Sequence, residues 1–107
     1  MQTPRYGHAP IAMRLVPSKD EFHDNPDPRV GDFFWIVDGV GRRRLAVNIP
    51  YGNLRGYSFS EWTIGHANHC GAQWSWDGNI DVPTLTPSLH AIGVWHGFVR
   101  AGQLVEV

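Results

Sequence analysis

Three times along this chain a short apolar, β-prone run meets a tight-turn signal and is followed by a second such run. Residues 33–37 lead through Asp38-Gly39-Val40-Gly41 into residues 42–49. Trp74-Ser75-Trp76 leads through Asp77-Gly78 into residues 79–82, and residues 94–100 lead through Ala101-Gly102 into residues 103–107. Glycine in such turns supplies the positive φ that two-residue hairpin connections require. With 12 glycines and 8 prolines, long helices have little room to propagate. The one helical signal taken from the sequence is Ser58-x-x-Glu61, a capping-box spacing that allows a single short turn. The expected fold is therefore all-β: a small hairpin-built sheet arranged as a sandwich or a partly open barrel.

The 107 residues read as one domain, with an apolar fraction of 42% that suits a single modest core. Ile11, Met13, Leu15 and Val16 have the alternation of a short strand. Residues 17–32 are acidic and interrupted by Pro26 and Pro28, which predicts a long loop within the domain. A net charge of −1 gives no global field toward nucleic acid or an anionic membrane. One cysteine excludes an internal disulfide and fits a reducing compartment. No signal-peptide core is present and no apolar run approaches the ~20 residues that span a bilayer. The expectation is a soluble cytoplasmic protein, with residues 103–107 as an edge strand able to pair with a second copy.

Chemistry-bearing residues concentrate between Gly65 and Gly102. His66-x-x-His69, the adjacent Cys70, and the later His90 and His96 have the paired spacing with which small domains build zinc sites. Zinc is the one cofactor this pattern suggests, with His66, His69, Cys70 and His96 as the ligand candidates. A three-ligand subset with water in the open position would be a hydrolytic site. Cys70 as a nucleophile would need His66 or His96 within reach, because His69 points away on a strand. Asp77-Gly78-Asn79-Ile80-Asp81 begins like a calcium loop, but Val82 stands where that loop needs glycine and Ser88 where it needs glutamate. A hairpin turn is the better reading.

Strand parity places Trp74 and Trp76 on one face, and sets Trp95 and His96 on opposite faces. Trp35 and Trp62 are expected in the core. Trp74, Trp76 and Trp95 lie among polar and turn residues, where amphipathic rings line pockets and anchor interfaces. Together with His96, Asp77 and Asn79 they form the candidate binding surface. Arg42, Arg43 and Arg44, with Arg55 downstream, form the only basic run and would carry a nucleic-acid surface. An exposed strand whose charges block edge-to-edge pairing explains the same residues.

The series Trp74-x-Trp76-Asp77-Gly78-Asn79, Pro83-Thr84-Leu85-Thr86-Pro87-Ser88-Leu89 and Trp95-His96-Gly97-Phe98-Val99-x-x-Gly102 resembles a family of small phage and prophage proteins. Those proteins are uncharacterised and often carry the label "ammonia monooxygenase". The resemblance covers about a third of the chain. It implies a shared β scaffold and an accessory role in phage biology. Family members carry cysteine and histidine pairs that look like zinc ligands. Here the first hairpin has no cysteine, position 95 is Trp where the family has Cys, and no Cys-x-His follows. Only His96 carries over as a ligand.

These readings converge on a binding protein rather than an enzyme. It would engage a host or phage protein, or a small ligand, through the aromatic surface around Trp74, Trp76, Trp95 and His96, in a counter-defence role by analogy. The alternatives are a zinc-dependent hydrolase using His66, Cys70 and His96, and a nucleic-acid-binding module using the arginine run.

Overall fold

The computed structural model describes residues 10–51, 56–65, 73–91 and 93–107. Among them the chain order is β1 (Ile11–Ala12), β2 (Arg14–Leu15), α1 (Lys19–His23), β3 (Asp32–Val37), β4 (Arg43–Pro50) and β5 (Tyr57–Thr63). It continues with β6 (Ser75–Trp76), β7 (Leu85–Ala91), β8 (Trp95–Arg100) and β9 (Gln103–Glu106). Two sheets result, β1-β9-β8-β7-β6 and β2-β3-β4-β5. The fold is all-β, with two sheets sharing one core and, among the described residues, no closed barrel.

Side-chain alternation decides where that core sits. On β3 and β4, Phe33, Leu45, Val47 and Ile49 point inward and meet Leu85, Leu89, Trp95, Val99 and Leu104 of the other sheet. Strand β4 is unusual because Leu45 through Pro50 are all buried. Its outward residue Ala46 lies in a second cluster with Val16, Phe22 and Phe34. Helix α1 supplies Phe22 to that cluster, so the four-stranded sheet is covered on both faces.

The sheets are tied at two seams. Residues 11–15 form one extended segment that pairs first with β9 (Ile11 opposite Leu104) and then, in parallel, with β3 (Leu15 opposite Phe33). Gly31 permits this crossing: its φ is +93°, and a Cβ there would lie 2.8 Å from the Ala12 carbonyl oxygen. Beside it, Arg14 Nε and Nη2 donate to the two Asp32 carboxylate oxygens at 2.7 and 2.8 Å. Asp32 is only 2% exposed and also accepts from the Arg29 N–H. At the other seam, Ile64 makes a single bridge to Trp74, and Gly65 N–H donates to the Trp74 carbonyl.

Two of the predicted hairpins form in the expected places. Strands β3 and β4 pair antiparallel around Asp38, and β8 and β9 pair around Ala101-Gly102. Both turn residues of the second hairpin have positive φ, +48° and +75°. The Trp74–Trp76 run does not pair with residues 79–82. Strand β6 pairs with β7 instead, at Ser75–Thr86 and Trp76–Leu85, because Asn79 Oδ1 accepts from Asp81 N–H and Val82 N–H and holds that stretch as a turn.

The helix also lies elsewhere. Ser58-x-x-Glu61 falls in β5, where alternate burial against β4 prevails over the local cap. Residues 17–32 are not one long loop, since they contain α1. Ser18 caps this helix, accepting from Glu21 N–H at 3.2 Å, and Asp20 and Glu21 favour its positive end. Gly93 turns the β7–β8 hairpin with φ +78°, and a register shift comes between Leu85 and Leu89, around Pro87, which has no N–H to donate. Strand β9 is not a free edge, because β1 covers Gln103 and Leu104.

Gly97 gives the core its tightest packing. Trp95 lies on the same face and folds its indole over the Gly97 Cα, so an added Cβ would overlap the ring. Gly97→Ala is expected to cost at least about 1–3 kcal/mol through overpacking, seen as a lowered urea midpoint at unchanged slope. Ser18→Ala should cost about 1 kcal/mol and speed amide exchange at Phe22 ahead of the β4 amides.

Candidate functional site

Five tryptophans divide into buried and half-buried sets, and the division differs from the one the sequence suggests. Trp74 and Trp95 are 3% and 4% exposed and belong to the core. This corrects the expectation that they present a surface: Trp95 projects inward from β8, and Trp74, at its bridge to Ile64, joins the same core between the two sheets. Trp62 is half-buried and meets Trp74 edge-on with ring centroids 5.3 Å apart. Trp35, expected in the core, and Trp76 are also half-buried, and they come together at the end of the sandwich.

That end exists because the inner face of β3 and β4 extends past the facing sheet. Trp35 and Val37 continue the inward side of β3 beyond Phe33, and Arg43 lies opposite Val37. Trp35 and Trp76 pack with centroids 4.8 Å apart, and the Arg43 guanidinium lies 5.6 and 4.9 Å from the two ring centroids. Such stacking is worth about 0.5–2 kcal/mol and leaves the N–H edges of the guanidinium available.

The loop after β6 is held to these rings. Trp35 Nε1–H donates to the Ile80 carbonyl, and Trp76 Nε1–H donates to the Asn79 carbonyl. Asp77 Oδ1 accepts from Asn79 N–H and Thr84 N–H. Of the candidate binding residues, Trp76, Asp77 and Asn79 are thus gathered here, the last two as loop-forming groups. Ile80, Val37 and Val40 are 43%, 56% and 76% exposed and make the rim apolar.

The arginine run resolves into three roles. Arg42 Nε pairs with Asp38 at 2.8 Å, and Arg44 Nη1 pairs with Glu61 at 2.8 Å across the outer face. Arg43 has no ion pair among the described residues and turns inward onto the indoles. A three-arginine nucleic-acid strip does not form, since two of its members are neutralised and face away from the third. Arg55 lies outside the described residues.

His96 lies on the outer face of the five-stranded sheet. It is the cross-strand partner of His90, with the rings stacked 4.5 Å apart, and its Nε2 is 2.8 Å from Ser88 Oγ. His90 and His96 therefore share a face as neighbours across the β7–β8 hairpin. Trp95 and His96 point to opposite faces, as parity requires. His66, His69 and Cys70 lie outside the described residues. Among the described residues no three metal-ligating side chains converge.

A cleft of about 490 Å³ opens on the other side of the four-stranded sheet, and the sequence reading missed it. Phe22, His23, Asn25 and Pro28 form one wall, and Asn48, Tyr57 and Phe59 the other. One signal was present: Asn48 interrupts an apolar run, Leu-Ala-Val-Asn-Ile, in the middle of a predicted strand. No helix among the described residues is long and apolar enough to cross a membrane. The chain matches no protein-family model, no curated protein and no solved structure.

Asp38 ties the site to pH. Its carboxyl is held below its usual 3.8, chiefly by the Arg42 backbone N–H, then by the Val40 N–H and the Arg42 side chain. A lowered folded value means the contribution to stability is present at neutral pH and is lost as pH falls through that value. A carboxyl ¹³C titration of the folded protein should place the Asp38 midpoint below 3.8. A midpoint at or above it would show that the turn does not hold the ionised form.

Proposed function

We propose that this chain is a binding module that engages a protein partner through the aromatic rim of Trp35, Trp76 and Arg43. The observation that carries this reading is the Arg43 guanidinium, stacked over two half-buried indoles and free of any carboxylate among the described residues. Aromatic rings with an arginine in a partly dry setting are the composition of interface hot spots. The exposed Val37, Val40 and Ile80 extend that patch. The complementary partner presents a carboxylate or phosphate beside apolar side chains. The resemblance to small phage proteins supports an accessory role inside a bacterial host, with counter-defence as its setting.

Three proteins test this: wild type, Arg43→Glu and Trp76→Ala, each used to capture partners from a bacterial host lysate. Arg43→Glu should abolish capture of the specific partner, and Trp76→Ala should weaken it about tenfold or more, as hot-spot truncations do. Both should keep the thermal midpoint within a few degrees, since neither side chain is fully buried. Unchanged capture by Arg43→Glu would overturn the reading.

A further inference from the structure

We propose that β5, at the edge of the four-stranded sheet, pairs antiparallel with β5 of a second copy of this chain about a two-fold axis at Ser60. The two sheets would then run on as one. The pairing uses none of the rim residues and does not depend on the function proposed for them.

The backbone on the far side of β5 carries the argument. Among the described residues β5 pairs with β4 alone and ends the order of its sheet. Ile64 N–H donates to the Arg43 carbonyl, and the Gly56 carbonyl accepts from Tyr51 N–H. Peptide groups alternate in direction along a strand, so the even-numbered residues from Gly56 to Ile64 bond toward β4. Phe59, Glu61 and Thr63 therefore turn their N–H and C=O groups outward. These groups meet no hydrogen-bond partner among the described residues.

The edge also lacks the usual devices that discourage pairing, such as brevity, proline, bulges and lysine. Strand β5 runs seven residues in unbroken register with β4, from Thr63 opposite Arg44 to Tyr57 opposite Pro50. It contains no proline, glycine or lysine. Its one charged residue, Glu61, is paired with Arg44 of its own sheet at 2.8 Å. The other strands that end a sheet among the described residues, β1, β2 and β6, are each 2 residues long.

The sequence of the strand selects a second copy as the occupant. Ser60 is the middle residue of β5, so a ladder centred there overlaps the whole strand. Phe59 then faces the partner's Glu61, and both have outward backbone groups, so the pair exchanges N–H···O=C bonds without giving up any to β4. On the other face Ser60 meets the partner's Ser60, and Ser58 stands opposite the partner's Trp62, small against large. A ladder centred on Glu61 instead would set two carboxylates directly opposite each other, which is destabilising. Pairing confined to one strand per copy is a small interface, of the weak, concentration-dependent kind below roughly 1,200 Å².

Sedimentation equilibrium of the whole chain, from micromolar to millimolar concentration, should show monomer in exchange with dimer. Glu61→Pro removes an outward N–H and no bond to β4, a position at which an edge strand tolerates proline. It should raise the dimer dissociation constant at least about tenfold. In a Cys70→Ser background, Ser60→Cys should form an intermolecular disulfide on mild oxidation, because opposed residues of this type have Cα atoms about 4.5 Å apart. Ser58→Cys, which faces the partner's Trp62, should cross-link at least about tenfold more slowly. If Glu61→Pro does not fold, the two cysteine variants decide the matter. A chain that stays monomeric throughout, a disulfide that forms as fast at 58 as at 60, or a folded Glu61→Pro that associates as wild type does would each overturn the proposal. Arg43→Glu, which disables the rim, should dimerise as wild type does; loss of the dimer in that variant would place the contact at the rim and overturn the pairing of β5.

Discussion

Burial of β4 on both faces is the constraint around which the rest is arranged. A strand in a two-layer sandwich normally shows one face to water, and its sequence alternates accordingly. From Leu45 onward β4 does not. Its inward residues need the second sheet. Its outward residues Ala46, Asn48 and Pro50 need a cover, and the segment from Ser18 to Gly31 provides it. That segment can stay in place only if its return to β3 is fixed, which the Arg14–Asp32 pair and the Gly31 crossing accomplish. The cleft, the short helix and the switch of residues 11–15 between sheets all answer the same demand.

Desolvation shapes the two candidate sites in opposite ways. At the rim, a cation rests on aromatic faces at the open end of the core, where water still reaches its N–H edges. Stacking orders the side chain without extinguishing its charge. In the cleft, the Asn48 amide lies beside the rings of Phe22, His23, Tyr57 and Phe59, and none of the described lining residues is charged at neutral pH. One sheet carries both because its inner face overshoots the core while its outer face is only partly covered by five helical residues.

Local signals were legible wherever a few neighbouring residues decide the outcome. Asp38 with its glycines and Ala101-Gly102 announced their hairpins, because positive φ and side-chain-to-backbone bonding are local properties. The same locality misled at the helix. Ser18-x-x-Glu21 and Ser58-x-x-Glu61 have the same spacing, and only pairing with β4 decides that the second is strand. Proline at 26 and 28 limits how far a helix can run, yet does not forbid one before it. Trp74 and Trp95 look like surface residues among turns and polar neighbours, but the sheet that buries them is assembled from distant segments. Trp35 looks like core because its neighbours are apolar, but its strand outruns the facing sheet. The cleft was hidden for a related reason: its two walls, Phe22 to Pro28 on one side and Asn48, Tyr57 and Phe59 on the other, meet only after the sheet forms. The cluster of His66, His69 and Cys70 lies outside the described residues.

The pairing of β1 with β9 sets an order on assembly. Ile11 waits for Leu104, so β1 cannot join the five-stranded sheet until the chain through Leu104 has left the ribosome. Before that, β3, β4 and β5 can already pair, since their turns are short and their contacts local. During synthesis the chain therefore passes through a stage in which one sheet is formed and its inner row of Phe33, Leu45, Val47 and Ile49 is uncovered. Chaperone binding, or association between neighbouring nascent chains, would act on that row of side chains.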